Sequence, residues 1–369
     1  MRTRDAVLEY QKVLSDAGTL TVDLDLVDPV SAIYLEHEAT NGATSNKGNY
    51  ISDVLTKIEI VDGSEVLYSL NMSQLEALHF YKTRRTPVLF PSEFASGLQR
   101  HGVLLMFGRH LWDREYAMDF KRFKNPQLKI TSNLAAITAV GATGFVTGTL
   151  KSTVVAKVME DAGVVPNKYL MAKELESFTS VTSGEKRIQL PTDRIYRMLM
   201  ARFWVQLSDI DEVITDLKLT LDTDKFIAFN RKVKQLDAEA FSQFGTGRLK
   251  HDIFTQHQAA FRMLFNKEPS YTPLAWEDAT PEIIGARYFW SSEGKLDIND
   301  NAGATISSDM KITGVEEGHA LHATLPIPFG IMDEPDTWFN PTPYSKMELV
   351  ATQAVAATCQ IVAEQVRPL

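Results

Sequence analysis

Alternating apolar and polar residues mark much of the chain. Between Thr19 and Leu26 every second residue is leucine or valine, and the residues between them are threonine or aspartate. A period of two is typical of a β-strand with one face against a core. Strand candidates lie near 19–26, 31–38, 53–61, 65–70, 103–107, 127–131, 149–159, 169–181, 186–190, 195–206, 213–221, 225–229, 320–327 and 346–363. Short strands with turn signals between them, such as Asp62-Gly63, favour β-sandwiches over alternating strand and helix units.

A few segments show the helical period instead. Residues 3–15 predict an N-terminal helix, because their apolar side chains fall on one side and charges fill the other. A short helix follows Asn71, a good N-cap residue, and a similar helix covers 233–244. Residues 248–265 predict a fourth helix by the same spacing.

The two halves of the chain resemble each other. Lys57–Asn71 is similar to Asp216–Asn230, and each segment then runs into a short amphipathic helix. The matched residues are Ile58, Ile60, Leu67, Leu70 and Asn71 with Leu217, Leu219, Phe226 or Ile227, Phe229 and Asn230. Later matches are Phe107-Gly108 with Phe329-Gly330, Trp112 with Trp338, Asn125-Pro126 with Asn340-Pro341, Leu128–Thr131 with Leu349–Thr352, and Val154–Ala156 with Ile361–Ala363. A constant order with variable gaps predicts a duplicated β domain with diverged loops, although chance similarity is the alternative.

The domain organisation follows from this repeat. We predict an N-terminal helix at 1–17, a first β domain at 18–163 and a second at 164–369, with a linker near 161–167. The second copy carries an insertion at about 245–315. Its later part, 266–313, is rich in Pro, Asn, Asp, Gly and Ser and is interpreted as a projecting loop.

Composition excludes several classes of protein. Cys359 is the single cysteine, which excludes an internal disulfide framework and a cysteine-rich zinc site. The net charge of −9 argues against nucleic-acid wrapping as the main role. No apolar run approaches the roughly 18 residues needed to span a bilayer. The first residues lack the apolar segment of a secretory signal, so we expect synthesis and folding in a cytosol.

This layout resembles the double-jelly-roll major capsid proteins of tailless icosahedral viruses, many of which contain a membrane. The stretches that carry the resemblance are Ile58–Leu78, Val103–Asp113 and Leu325–Gln365. It implies an all-β fold of two tandem eight-stranded jelly-roll sandwiches, with short helices and one long loop insertion. It also implies a non-enzymatic subunit of the virion, made in the host cytoplasm, with no catalytic residue and no cofactor.

The resemblance implies partners as well. Three copies would form a homotrimer with a pseudo-sixfold outline, which would contact neighbouring trimers, penton or minor capsid proteins and an internal membrane. The N-terminal helix, with Arg2, Arg4, Tyr10 and Lys12, would lie at the base and face the membrane or genome, and the insertion would form an outer tower. Specific nucleic-acid binding is not expected.

Candidate chemistry is weak throughout the chain. Asp297, Asn299 and Asn301 alternate as in the first half of a calcium loop, but the glycine and glutamate of that motif are missing, so a solvated turn is favoured. The histidine pairs His251 and His257, and His319 and His322, are poorly spaced for a shared metal. Cys359 lies in an apolar strand and is interpreted as an inert buried thiol.

Two other functions remain open at this point. The chain is alternatively a two-domain β-sandwich carbohydrate-binding or carbohydrate-active protein, with its site in 266–313 and with Asp113 and Glu115, or Glu316 and Glu317, as paired carboxylates. A viral spike or tail component is the third possibility, but the fibrous repeat that such proteins usually have is absent.

Overall fold

The structure is a computed structural model that describes residues 2–136, 144–160, 163–276, 282–300 and 302–369. The first half forms two sheets around a common core. Their strands are β1 (Thr3–Val13), β2 (Ala17–Asp23), β3 (Val30–Thr40), β4 (Leu55–Asp62), β5 (Glu65–Leu70), β6 (Val88–Phe90), β7 (Leu98–Met106), β8 (Pro126–Asn133) and β9 (Lys151–Met159). One sheet has the order β1-β9-β3-β7-β6, and the other has the order β2-β8-β4-β5. We call this unit the first sandwich.

The second half repeats the arrangement. Its strands are β10 (Lys168–Thr179), β11 (Glu185–Leu190), β12 (Tyr196–Trp204), β13 (Ile214–Leu221), β14 (Phe226–Lys232), β15 (Gly247–Thr255), β16 (Ala260–Arg262), β17 (Phe265–Trp276), β18 (Glu282–Trp290), β19 (Glu293–Asp300), β20 (Met310–Leu321), β21 (Thr324–Pro328), β22 (Met347–Gln353) and β23 (Thr358–Pro368). The orders β10-β23-β12-β21 and β11-β22-β13-β14 define the second sandwich. Strand β5 also pairs with β10, which joins one sheet of each sandwich into eight strands.

Helices occupy the same places in both sandwiches. They are α1 (Ile51–Val54) and α2 (Met72–Thr83) in the first and α3 (Ile210–Val213) and α4 (Val233–Phe244) in the second, with 3-10 turns at Phe120–Arg122, Leu134–Ala136 and Pro335–Thr337. Short helices α1 and α3 precede β4 and β13, and long helices α2 and α4 follow β5 and β14. The equivalent placement confirms that the two halves have the same topology.

The strand register confirms the repeat at the level of residues. The cross-strand pairs are Ile58 with Ile130 and Ile60 with Leu128 in the first sandwich, and Leu217 with Ala351 and Leu219 with Leu349 in the second. These side chains are completely buried, as alternation predicts for strands with one face in a core. Strand β8 shows the pattern most clearly, because buried and half-buried residues alternate along its whole length.

The repeated Phe-Gly pair has a steric cause. Gly330 has φ +70°, and a Cβ there would collide with the carbonyl oxygen of Thr337. A Cβ at Gly108 would lie only 2.6 Å from the Cβ of Asp113 and from the carbonyl oxygen of Tyr116. Both turns therefore require glycine directly after the phenylalanine that follows the last strand residue.

The predicted N-terminal helix is wrong. Residues Thr3–Val13 form the strand β1, which pairs with β9 in antiparallel fashion. Register shifts between Val7 and Glu9 and between Glu9 and Lys12 interrupt the period of two that would have identified a strand. The ladder with β9 outweighs the helical spacing of a segment whose side chains stay largely exposed.

The predicted helix at 248–265 and the predicted loop at 266–313 are also wrong. In its described residues the insertion forms two three-stranded sheets, β15-β20-β17 and β16-β19-β18. It has a core of its own, formed by Ile253, Phe261, Met263, Tyr271, Leu296, Ile298, Met310 and Ile312. The pairing of β17 is irregular between Lys267 and Ser270 and between Pro273 and Ala275, which accommodates the prolines of this strand. The prolines had contributed to the prediction of a loop.

Candidate assembly surface

The two sandwiches meet along one continuous contact. Ser69 of β5 pairs with Lys173 of β10 in parallel. Helix α2 lies in the same contact, and every residue from Met72 to Tyr81 is buried. Asn71 begins the helix, since its side chain accepts a hydrogen bond of 2.9 Å from the N–H of Gln74, as the sequence predicted. We call this contact of β5 and α2 with β10, β12, β21 and β23 the inner joint.

A buried carboxylate between two cations links the inner joint. Glu364 of β23 lies 2.6 Å from Lys82 Nζ at the end of α2 and 2.6 Å from Arg197 Nη1 of β12. All three side chains are 1% exposed. Burial lowers the pKa of Lys82 to about 8 despite Glu364. Burial opposes ionisation of Glu364, but Lys82 and Arg197 outweigh it and hold the pKa of this carboxyl below its usual value.

A second buried carboxylate contacts histidines from both sandwiches. Glu76 of α2 accepts a hydrogen bond of 2.5 Å from Ser52 Oγ, and His101 Nε2 lies 2.8 Å from the same carboxylate oxygen. His322, in the turn between β20 and β21, contacts the other oxygen of Glu76. Burial opposes the charge of Glu76, but His322 and His101 lower its pKa far below the usual range. His37 adds a further ring, with its Nδ1 3.2 Å from Nδ1 of His101.

We expect this cluster to make stability fall as the pH drops from 7 to 5. Burial, followed by the charge of His101, lowers the pKa of His37 well below its usual value and that of His79 to about 4. An unfolded histidine titrates near 6.5, so the unfolded chain takes up protons first as the pH falls. The stability is therefore present above about pH 6.5 and is lost towards pH 4, at a cost of about 2 kcal/mol for His79 at pH 5.

Urea denaturation at pH 7 and pH 5 measures this loss. In the wild type His79 Nδ1 accepts a hydrogen bond of 3.0 Å from the N–H of Leu104. The variant His79→Gln removes the titrating ring but keeps an acceptor for this N–H. Between pH 7 and pH 5 the free energy of unfolding should fall by about 1–2 kcal/mol less in this variant than in the wild type. The exposed His110 supplies the control, because His110→Gln should leave the pH dependence unchanged. Equal losses in the wild type and His79→Gln would contradict the assignment.

Two of the terminal strands of the sheets, β14 and β1, have a free edge in the described part of the chain. Strand β14 ends one sheet of the second sandwich and β1 ends one sheet of the first. Both edges carry apolar side chains: Ile227 is 53% exposed and Phe226 is half exposed on β14, and Tyr10 is 73% exposed and Val7 61% exposed on β1. Unpaired strands with apolar side chains are surfaces on which another strand can pair.

Of the residues predicted at the base, Arg4, Tyr10 and Lys12 lie in β1 and Arg2 directly precedes it. Arg2 Nε is 3.1 Å from Glu160 Oε2, and Arg4 contacts the same carboxylate. Tyr10 and Lys12 lie towards the opposite end of the strand and are exposed. A strand advances about 3.3 Å per residue, so the four side chains do not form one patch. That they face a membrane or genome stays a prediction.

The candidate calcium residues do not gather around a site. Asp297 and Asn299 lie in β19, and Asp297 Oδ1 accepts a hydrogen bond of 3.1 Å from Gln258 Nε2. Asn301 lies outside the described residues. In the described ranges no group of three histidine, cysteine, aspartate or glutamate side chains could hold a metal ion.

The other candidate residues have structural partners. His251 Nδ1 lies 3.1 Å from Glu316, and His319 Nε2 lies 3.3 Å from Asp237. Burial raises the pKa of the Cys359 thiol, which disfavours the reactive thiolate. These pairs hold neighbouring elements together and do not converge on a shared cavity.

The remaining candidate carboxylates are also engaged. Asp113 accepts hydrogen bonds from the Arg109 side chain at 2.7 and 2.9 Å, and Arg109 Nη2 lies 3.0 Å from Glu115. Glu316 accepts from two backbone N–H groups, whereas Glu317 pairs with Arg248. Asp113, Glu115 and Glu317 are thus paired with arginine side chains, and Glu316 with backbone N–H groups.

The comparisons with known proteins agree on the fold. No protein-family model matches the sequence, and no curated protein matches it. The solved structures do match. The STIV MCP, from Sulfolobus turreted icosahedral virus, has a TM-score of 0.60 and 10% identity, over 99% of this chain and 97% of that one.

Two further structures have a similar likeness. The major capsid protein P2 from bacteriophage PM2 has a TM-score of 0.56 and 10% identity, over 100% of this chain and 98% of that one. The PBCV-1 virus capsid has a TM-score of 0.59 and 11% identity, over 99% of this chain and 93% of that one. None of the helices in the described ranges has the length and apolar character of a membrane span. The structural matches show that the chain has the double-jelly-roll fold of the viral major capsid proteins, which it matches along nearly its whole length.

Proposed function

We propose that this chain is a major capsid protein that acts by self-assembly and performs no catalysis. Three copies would form a pseudo-hexameric homotrimer, and many trimers would form the icosahedral shell of a virion. The observation that carries the proposal is the presence of two sandwiches with the same topology side by side in one chain. Three such chains place six similar sandwiches in a closed ring, which is the simplest way to obtain a hexagonal outline from a threefold axis.

The sheet edges support a ring. In the inner joint, β5 of the first sandwich and β10 of the second sandwich are paired. Their counterparts by sheet order, β14 and β1, are unpaired ends in the described part of the chain. A chain with one joint formed and one equivalent pair of edges open can add further copies head to tail, and a threefold rotation closes the series.

The finer assignments belong to the same proposal. The sandwich boundaries at 18–163 and 164–369, the insertion as an outer tower, and contacts with penton proteins, minor proteins and an internal membrane are consistent with a shell subunit. Synthesis in the host cytoplasm is part of it too. The carbohydrate alternative finds no support in the comparisons, since the matched structures bear the names of capsid proteins.

We expect the purified chain to be a trimer. Size-exclusion chromatography with light scattering should give a mass about three times 41.3 kDa. Negative-stain electron microscopy of that fraction should show a hexagonal outline with three projections, one for each insertion. A stable monomer or dimer at micromolar concentration, or a trimer with three separated lobes and no hexagonal outline, would contradict the proposal.

A further inference from the structure

We propose that the outer edge of β14 in one copy pairs in parallel with β1 of a second copy, in the way that β5 pairs with β10 inside the chain. This inference rests on the proposed self-assembly and specifies the surface that performs it. We call this contact the outer joint. Its two sides are the open edges described above, and its occupant is a second copy of this chain.

The strand pairing makes β1 the counterpart of β10. Strand β1 pairs with β9, which pairs with β3, and β10 pairs with β23, which pairs with β12. The two ladders share an irregularity at the same place. The register shifts between Val7 and Glu9 in β1 and between Glu174 and Glu176 in β10. A shared bulge is a specific feature of strand geometry, so the two edges have the same shape around this position, while β1 has a second shift between Glu9 and Lys12 that β10 lacks.

The inner joint sets the register that we expect. In it Ser69 pairs with Lys173. Ser69 also faces Glu59, and its counterpart Asn230 faces Lys218 on the equivalent strand. Lys173 also faces Ala363, and its counterpart Ala6 faces Ala156, which matched Ala363 in the sequence repeat. The outer joint should therefore place Asn230 of one copy opposite Ala6 of the next.

Burial shows what a neighbour would cover. In the inner joint Leu67, Tyr68 and Leu70 of β5 are almost completely buried. Strand β14 occupies the equivalent place in the second sandwich, yet most of its residues, among them Phe226 and Ile227, are exposed. Helix α4 shows the same contrast, since α2 is buried from Met72 to Tyr81 while α4 leaves Phe241 exposed. An outer joint would cover this apolar surface as the inner joint covers its counterpart.

A disulfide can test the register directly. Paired strands lie about 4.8 Å apart, which is within the Cα separation that a disulfide needs. The double variant Ala6→Cys with Asn230→Cys should shift from one chain to three on a non-reducing gel after mild oxidation, and reductant should reverse the shift. The single native cysteine, Cys359, is buried and should contribute no background. Each single variant should remain at one chain.

A matched pair of cysteines separates the register from random collision. Leu274, on β17 of the insertion, is 58% exposed, so Ala6→Cys with Leu274→Cys offers an equally accessible thiol away from the outer joint. That pair should form no trimer band. If light scattering shows a trimer but Ala6 and Asn230 do not cross-link, the outer joint is wrong and the capsid proposal stands. If no trimer forms, both are wrong. Both single variants must first show the wild-type mass and melting temperature.

Discussion

Replacement of Glu364 by glutamine is expected to lower the free energy of unfolding by about 3–5 kcal/mol, because it leaves two buried cations without their carboxylate. Lys82 and Arg197 both lie 2.6 Å from Glu364, and all three side chains are 1% exposed. Removing one member of a buried ionic group costs more than the group contributed, since the remaining charges cannot return to water. Urea denaturation at pH 7 measures the loss.

An exposed ion pair provides the control. Glu239 lies 2.6 Å from Arg231, but its side chain is 64% exposed. Exposed pairs typically contribute less than about 1 kcal/mol, so Glu239→Gln should change the free energy of unfolding little. Comparable losses in the two glutamine variants would show that Glu364 does not hold the inner joint together by charge.

Most strands of both sandwiches were predictable because one face of each lies in a core, whereas β1 and β6 were not predicted. Alternation identifies β2, β4 and β8 directly, and the prediction for Glu65–Leu70 agrees with β5 at both ends. The N-terminal strand was not predictable in this way, since its pairing is interrupted twice and Val7, Tyr10 and Val13 are exposed. A period of two indicates a strand only where burial selects one face.

The sequence repeat was correct in order and displaced by two residues at one place. Asn71 was matched with Asn230, but Asn71 begins α2, and the residue that begins α4 is Lys232. The cause is the turn between β13 and β14, which is two residues longer than Gly63-Ser64 and has Asp222, Thr223 and Asp224 at positive φ. Sequence similarity could not reveal this shift, because loop length varies without changing the strands.

The inner joint was missed because its charged residues are distant along the chain. One of them, Lys82, lies in a helix of the first sandwich, whereas Arg197 and Glu364 lie in two strands of the second. The one signal in the sequence is Glu76, an acidic residue on the apolar side of the helix after Asn71. Such a residue is expected to be buried only with partners, and those partners are identified by the tertiary structure alone.

Replacement of Phe107 by alanine is expected to lower the free energy of unfolding by about 3–5 kcal/mol. Phe107 is completely buried, and its ring makes edge-to-face contacts with Tyr68, Phe120 and Tyr169 at centroid distances of 6.3, 5.9 and 6.5 Å. Tyr169 belongs to β10, so the ring fills space between the two sandwiches. Truncation would leave a cavity that the neighbouring rings cannot collapse to fill, because the backbones of Tyr68 and Tyr169 belong to paired strands.

Phe226 offers the same substitution in a different environment. Its ring is 50% exposed at the open edge of β14 and contacts Tyr344. Full burial of a phenylalanine side chain contributes about 1.5–3 kcal/mol, so Phe226→Ala should cost less than about 1.5 kcal/mol. Urea denaturation at a protein concentration low enough for both variants to be monomeric makes the comparison fair, because the proposed outer joint would otherwise cover Phe226. If Phe107→Ala costs no more than Phe226→Ala, the packing around Phe107 is not part of the core that joins the sandwiches.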